Sequence, residues 1–323
     1  MSDFARSMYR LIFAAAAAYN ILFGLWASLF PRAFFSLFRL GTPQYPGIWA
    51  CLGMVVGLYG VGYAYAAWRL DRAFPFIAIG LAGKILGPIG WVMSVGNGEL
   101  PVRTFQLIVF DDLLWWIPFA LFLLEATPVT PFFKRTAPYW CAGVHLVAAA
   151  GALLLLRGGS EAVSDLEQRV AYVGQHPDRW RTGWLLWMLA AVTLAGFYAW
   201  WGARVPHRIA LTAFSIAALG LICDFTGESI FIGWIPSPGS MLHRVATLAS
   251  AAAGNGFYTI AAITLTVATR SLPLRWLAWL AWASGIALSA AAIANAPVAF
   301  TAASAALMIT FIPFVAYLGA RWR

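Results

Sequence analysis

Apolar residues along this chain gather in long runs and do not alternate with polar ones. The runs cover about 10–30, 47–68, 74–95, 104–125, 138–156, 183–202, 209–234, 245–268, 276–293 and 299–319. Each is close to the ~20 residues a helix needs to cross the hydrocarbon core of a bilayer. Lipid satisfies no free backbone group, so runs of this kind are helices. A membrane barrel would show short segments of alternating polarity instead. The pattern predicts an all-α, polytopic integral membrane protein with about ten transmembrane helices.

The connections are short except for residues 157–182. Within that loop "SDLEQRVAYV" has acids early and apolar residues at helical spacing, which predicts a short surface helix with Ser164 as N-cap. The loop reads either as a connector or as a lid over an outward-facing pocket. The segment "ATPVTPFFKRTAP" (126–138) carries three prolines. It divides the chain into an N-terminal four-helix membrane domain, 1–130, and a C-terminal six-helix membrane domain, 131–323. No repeat relates the halves, which counts against a five-plus-five inverted-repeat transporter.

Composition agrees with the pattern. The chain is 62% hydrophobic and 10% charged, against about 25% charged in a soluble domain. A net charge of +9 would suggest nucleic acid in a soluble protein. Here the basic residues sit mostly at helix ends, so they report topology and imply no nucleic-acid partner. With the N terminus inside, twelve basic residues fall on inner ends and loops and eight on outer ones. Both termini are therefore expected in the cytoplasm, the protein being a multi-pass component of a bacterial inner membrane. The first run is full length and lacks a small-residue cleavage site, so it reads as a first spanning helix and not a signal peptide. Cys51, Cys141 and Cys223 all lie in apolar runs, as small buried hydrophobes do.

The informative residues are those that hydrocarbon should reject: Lys84, Asp111, Asp112, His145, Asp224 and Glu228. A charge at the centre of a spanning helix costs at least about 2.5–3.5 kcal/mol, and such groups usually pair. Lys84 and Asp111 differ in depth by roughly 7 Å at 1.5 Å per residue, within reach of a snorkelling lysine stem. An ion pair between Lys84 and Asp111 or Asp112 is expected. Adjacent residues point about 100° apart on a helix, so the second Asp needs water, a donor or a proton. Asp224 and Glu228 are four residues apart and share a helix face. Both acid pairs fall in the outer half of the membrane, which suggests one outward-side pocket with at least one carboxyl protonated near pH 7.

Gly53, Gly57, Gly83 and Gly87 at four-residue spacing predict close packing of the second and third helices. Pro88 should kink the third helix beside Lys84 and free carbonyls for its ammonium. Asn20 and Asn255, the latter in "GNG", are polar groups at mid-membrane depth.

Several chemistries drop out. Only His145 among the four histidines lies at membrane depth, one too few for bis-histidine haem. No histidine–carboxylate cluster matches a metal site, and no Walker, dinucleotide or Gly-x-Ser-x-Gly motif occurs. Neither a cofactor nor a metal is expected. A lysine in the third of ten helices argues against a retinal protein. The remaining reading is a carboxylate-rich intramembrane site that binds or acts on an apolar lipid or isoprenoid-like ligand by acid–base chemistry. Asp111, Asp112, Asp224 and Glu228 are its catalytic candidates, and Lys84, Trp115, Trp116 and Asn255 its ligand-binding candidates. A proton-coupled small-molecule transporter and a non-catalytic subunit with a membrane-protein partner are the alternatives.

Overall fold

Ten helices in a computed structural model of the chain are long and apolar enough to cross a membrane. The structure describes residues 1–125 and 129–322, with the side chains of 129–131 and 133 left aside. The ten are α1 (Asp3–Leu29), α2 (Pro46–Trp68), α3 (Phe74–Gly96), α4 (Val102–Leu123), α5 (Lys134–Gly159), α6 (Pro177–Gly202), α7 (His207–Gly233), α8 (Met241–Ala268), α9 (Arg275–Ala294) and α10 (Pro297–Arg321). There is no strand among the described residues. The protein is an all-α polytopic membrane protein. Of the proline-rich connection, residues 126–128 lie outside the described ones.

Several helices begin earlier than their apolar runs. α6 starts at Pro177, with proline in the first turn and Asp178 beside it, where a missing N–H and a negative charge both suit a helix N terminus. Hydropathy marks the part of a helix that lies in lipid, and the polar first turns continue it into the interface.

Contacts cluster the chain into two units, Met1–Thr130 and Pro131–Arg323. In the first, α1 and α2 pack through small residues. A Cβ on Gly24 would stand 2.6 Å from the Gly53 carbonyl oxygen, and one on Gly53 would stand 2.8 Å from Ala27 Cβ. The Gly53/Gly57 stripe thus serves α1 and not α3, because α1 offers the matching groove of Ala16, Ala17, Asn20, Gly24 and Ala27, all buried. On α3, Gly87 faces α4, where an added Cβ would meet the Asp112 carboxylate at 2.5 Å. Tyr9, Phe13, Tyr63, Ile77, Trp115 and Phe119 fill the centre of the unit.

In the second unit α7 packs against α6 and α8, and α9 against α10. Gly227 of α7 lies so close to α8 that a Cβ would approach the Ala246 carbonyl oxygen to 2.4 Å. The long loop folds a short helix, Leu166–Gln175, onto this unit. Its N-cap is Asp165, which accepts from the amides of Glu167 (2.9 Å) and Gln168 (3.3 Å). Ser164 does not fill that position. Val173 is buried with Leu156, Trp180, Phe231 and Ala246, so the loop is anchored by packing as well as by its ends.

Three stretches among the described residues are π-helical: Val109–Leu113 in α4, Ala152–Leu156 in α5 and Leu248–Gly254 in α8. A π-turn inserts a residue into the ladder and leaves a carbonyl in need of another donor. Side chains supply donors at each. Trp115 Nε1 donates to Phe110 O at 2.8 Å, Tyr172 Oη to Leu155 O at 2.8 Å, and Ser289 Oγ to Ala252 O at 3.0 Å.

Candidate functional site

Each acid pair in the spanning helices lies on or against a π-helical stretch. In the first unit Asp111 and Asp112 are within one. Lys84 of α3 is 5% exposed and reaches α4 as its depth predicts, but it donates to the backbone carbonyl of Asp111. No direct ion pair with either carboxylate forms among the described residues. The π-turn presents a carbonyl to the ammonium, and this acceptor takes the place expected of the carboxylate. The ammonium also stands 5.9 Å from the Tyr63 ring centroid and 6.0 Å from that of Trp115, where ring faces favour a cation.

The two carboxyls diverge, as adjacent helical positions must. Asp112 is buried against the bare backbone of Gly87. Asp111 Oδ1 is buried and takes no hydrogen bond. Trp116 Nε1 donates to Lys84 O at 2.8 Å. That carbonyl is the one Pro88, four residues on and lacking an N–H, leaves unsatisfied. Trp116 therefore ties the α3 backbone at Lys84, and Trp115 ties the α4 backbone at Phe110 while walling the ammonium.

In the second unit Asp224 and Glu228 lie on one face of α7, toward the π-helical part of α8. Ser250 Oγ donates to Asp224 Oδ1 at 2.5 Å. A Cβ on Gly254 would come within 2.9 Å of Asp224 Cβ. Glu228 is 1% exposed, and its Oε2 is buried without a partner. The Tyr258 hydroxyl is buried on α8 beside Asp224. Asn255 turns to α9, donating to Gly285 O at 2.7 Å and Ser289 Oγ at 2.9 Å. His145 is buried on α5, its Nδ1 2.8 Å from the Cys141 carbonyl oxygen.

A third polar cluster joins the loop to the membrane ends of the second unit. Glu161 Oε1 is 2.8 Å from Arg169 Nη2 and 3.6 Å from His243 Nε2. Burial pulls the Glu161 carboxyl up, but the His243 contact and the Arg169 charge outweigh it and hold the group below the usual glutamate range. Beneath it His243 stacks with Trp180, and Phe231 stacks on Trp184 at 4.1 Å between centroids. The Nε1 of Trp180, the Nε1 of Trp184 and the Nδ1 of His243 are all buried without a partner.

Several of these residues carried no readable signal. Ser250 and Ser289 are single hydroxyls in small-residue helices, and Tyr63 is one of eleven tyrosines. Glu161 and His243 are 82 positions apart and meet only through the fold. The chain matches no known protein family, no curated protein and no solved structure.

Proposed function

We propose that the protein is an intramembrane acid–base protein that binds or acts on an apolar, lipid- or isoprenoid-like ligand. The working groups in the first unit are Lys84, Asp111 and Asp112, with Tyr63 and Trp115 as aromatic walls. Asp224 and Glu228 form the corresponding set in the second unit. The observation that carries the reading is that two carboxyl oxygens, Asp111 Oδ1 and Glu228 Oε2, are each buried with no donor among the described residues. A buried acceptor of this kind is costly unless something else satisfies it. A donor on a ligand, or a proton exchanged with one, meets that need. The aromatic faces around Lys84 suit an apolar body better than a hydrated solute. The chain would sit in a bacterial inner membrane with both termini cytoplasmic.

The test is lipid extraction from protein purified in mild detergent, followed by mass spectrometry. An apolar lipid should copurify with the wild type and fall at least about tenfold, or about 1.4 kcal/mol of binding, in Asp111→Asn/Asp112→Asn. No lipid enrichment, with proton-driven solute uptake into proteoliposomes instead, would replace this reading with a proton-coupled transporter. Neither result would leave a structural membrane subunit.

A further inference from the structure

The basic end of the second unit carries an open cavity that belongs to neither acid pair. It lies where α6, α8 and α10 end, has a volume of about 600 Å³, and is lined by Arg204, Thr269, Arg270, Ser271, Arg321 and Trp322 among others. Among the described residues no acidic side chain lines it. The six acids of residues 131–323 are Glu161, Asp165, Glu167, Asp178, Asp224 and Glu228, none of them in the connections 203–206 and 269–274 or after 319. Three guanidinium groups at one opening, with no acidic side chain beside them among the described residues, favour an anion there.

The walls of the cavity are fixed. Arg204 donates to Trp200 O at 2.6 Å and to Trp322 O at 3.3 Å, and its guanidinium lies 3.9 Å above the Trp200 ring. Arg275 donates to the Thr269 and Arg270 carbonyls and so braces the turn that bears Arg270. Trp201 Nε1 ties Thr269 Oγ1 at 3.0 Å. Against this frame, among the described residues, the Arg270 guanidinium and the Ser271 hydroxyl donate no hydrogen bond, and Arg321 makes a ring contact, 5.7 Å above Tyr317. These exposed donors are ones a phosphate oxoanion can use, since guanidinium forks match its oxygens. The tryptophans at the opening are residues suited to headgroup depth, and a basic pocket among helix ends at that depth fits a lipid phosphate.

We propose that this cavity binds the phosphate headgroup of an anionic membrane lipid. The proposal is independent of the acid–base reading. It is tested on the full-length protein in detergent by native mass spectrometry, titrating phosphatidylglycerol, phosphatidylcholine and inorganic phosphate. The wild type should bind phosphatidylglycerol at least about tenfold more tightly than either of the others. Arg270→Gln, which removes a guanidinium that bonds none of the described residues, should abolish most of that preference. Arg135→Gln/Arg208→Gln, which removes two charges from the same end outside the cavity, should leave it intact. Loss of preference in both variants would mean diffuse charge and overturn the site. Inorganic phosphate binding as tightly as phosphatidylglycerol would assign the cavity to a free anion and overturn the lipid assignment. Independently of any variant, phosphatidylglycerol vesicles should protect Arg270 from an arginine-specific reagent more than phosphatidylcholine vesicles do; equal modification would count against the proposal.

Discussion

At the scale of single residues, the polar groups in this protein are governed by which acceptor lies nearest once burial has removed water. Glu161 gives the most direct test. Its carboxylate gathers Arg169 and His243 at the point where the loop meets α8. Its folded-state ionisation lies below the ordinary glutamate range because those contacts outweigh burial. A depressed acid stabilises the fold above its unfolded value, about 4.3, and that stabilisation fades as pH falls through the lower folded value. At neutral pH Glu161→Gln should therefore be less stable than wild type by about 1.5 kcal/mol, the lower end for hydrogen bonds to charged groups. The difference should shrink steadily below about pH 4.3. Thermal unfolding of both proteins across pH 7 to 3 reads this directly; parallel curves would show that Glu161 contributes nothing. The sequence pointed to Lys84, its depth and the helix it reaches, because a charge in hydrocarbon is conspicuous and its partners are few. It could not choose between the Asp111 carboxylate and the Asp111 carbonyl, since that choice depends on a backbone turn without a compositional mark.

At the scale of elements, the existence of each helix and the extent of its apolar part were legible because a bilayer imposes both, whereas the polar first turns and the helix register were not. Hydropathy counts apolar residues and is blind to whether the ladder closes over four residues or five. The clues that did exist were prolines and glycines. Pro88 was expected to free a carbonyl for Lys84, and the carbonyl it frees is that of Lys84 itself, taken by Trp116 Nε1. The glycines of α2 announced close packing but not the partner, which the small face of α1 decided. The Pro88–Trp116 relation predicts a coupled pair. With Pro88 present, Trp116→Phe leaves a buried carbonyl unpaired and should cost about 1 kcal/mol. In a Pro88→Ala background the alanine N–H can close the ladder, and the same Trp116→Phe change should cost close to nothing. A double-mutant cycle on unfolding in detergent measures the coupling. Additive effects would mean that the indole bond and the missing N–H are unrelated.

At the scale of the whole molecule, charge distributes by side within the second unit. α5 to α10 cross an even number of times, so Lys134, Arg135, Arg204, Arg208, Arg270, Arg275 and Arg321 mark one end, and no acid accompanies them there. At the other end Glu161, Asp165, Glu167 and Asp178 dilute the positive charge of the long loop. Basic residues in short loops stay on the cytoplasmic side during insertion, while acids weigh little. The loop between α5 and α6 should therefore face outward and the connection between α6 and α7 inward. Gln175 and Arg208 are both exposed and sit at opposite ends of the unit. In a background with Cys51, Cys141 and Cys223 changed to Ala, Gln175→Cys should react in intact cells with a membrane-impermeant maleimide. Arg208→Cys should react only after the membrane is opened. The reverse pattern would invert the protein in the membrane, and it would move the arginine cavity to the outer leaflet without altering its chemistry. Labelling of both positions from one side would mean that α6 does not cross between them, a crossing on which the single-sided grouping of those arginines depends.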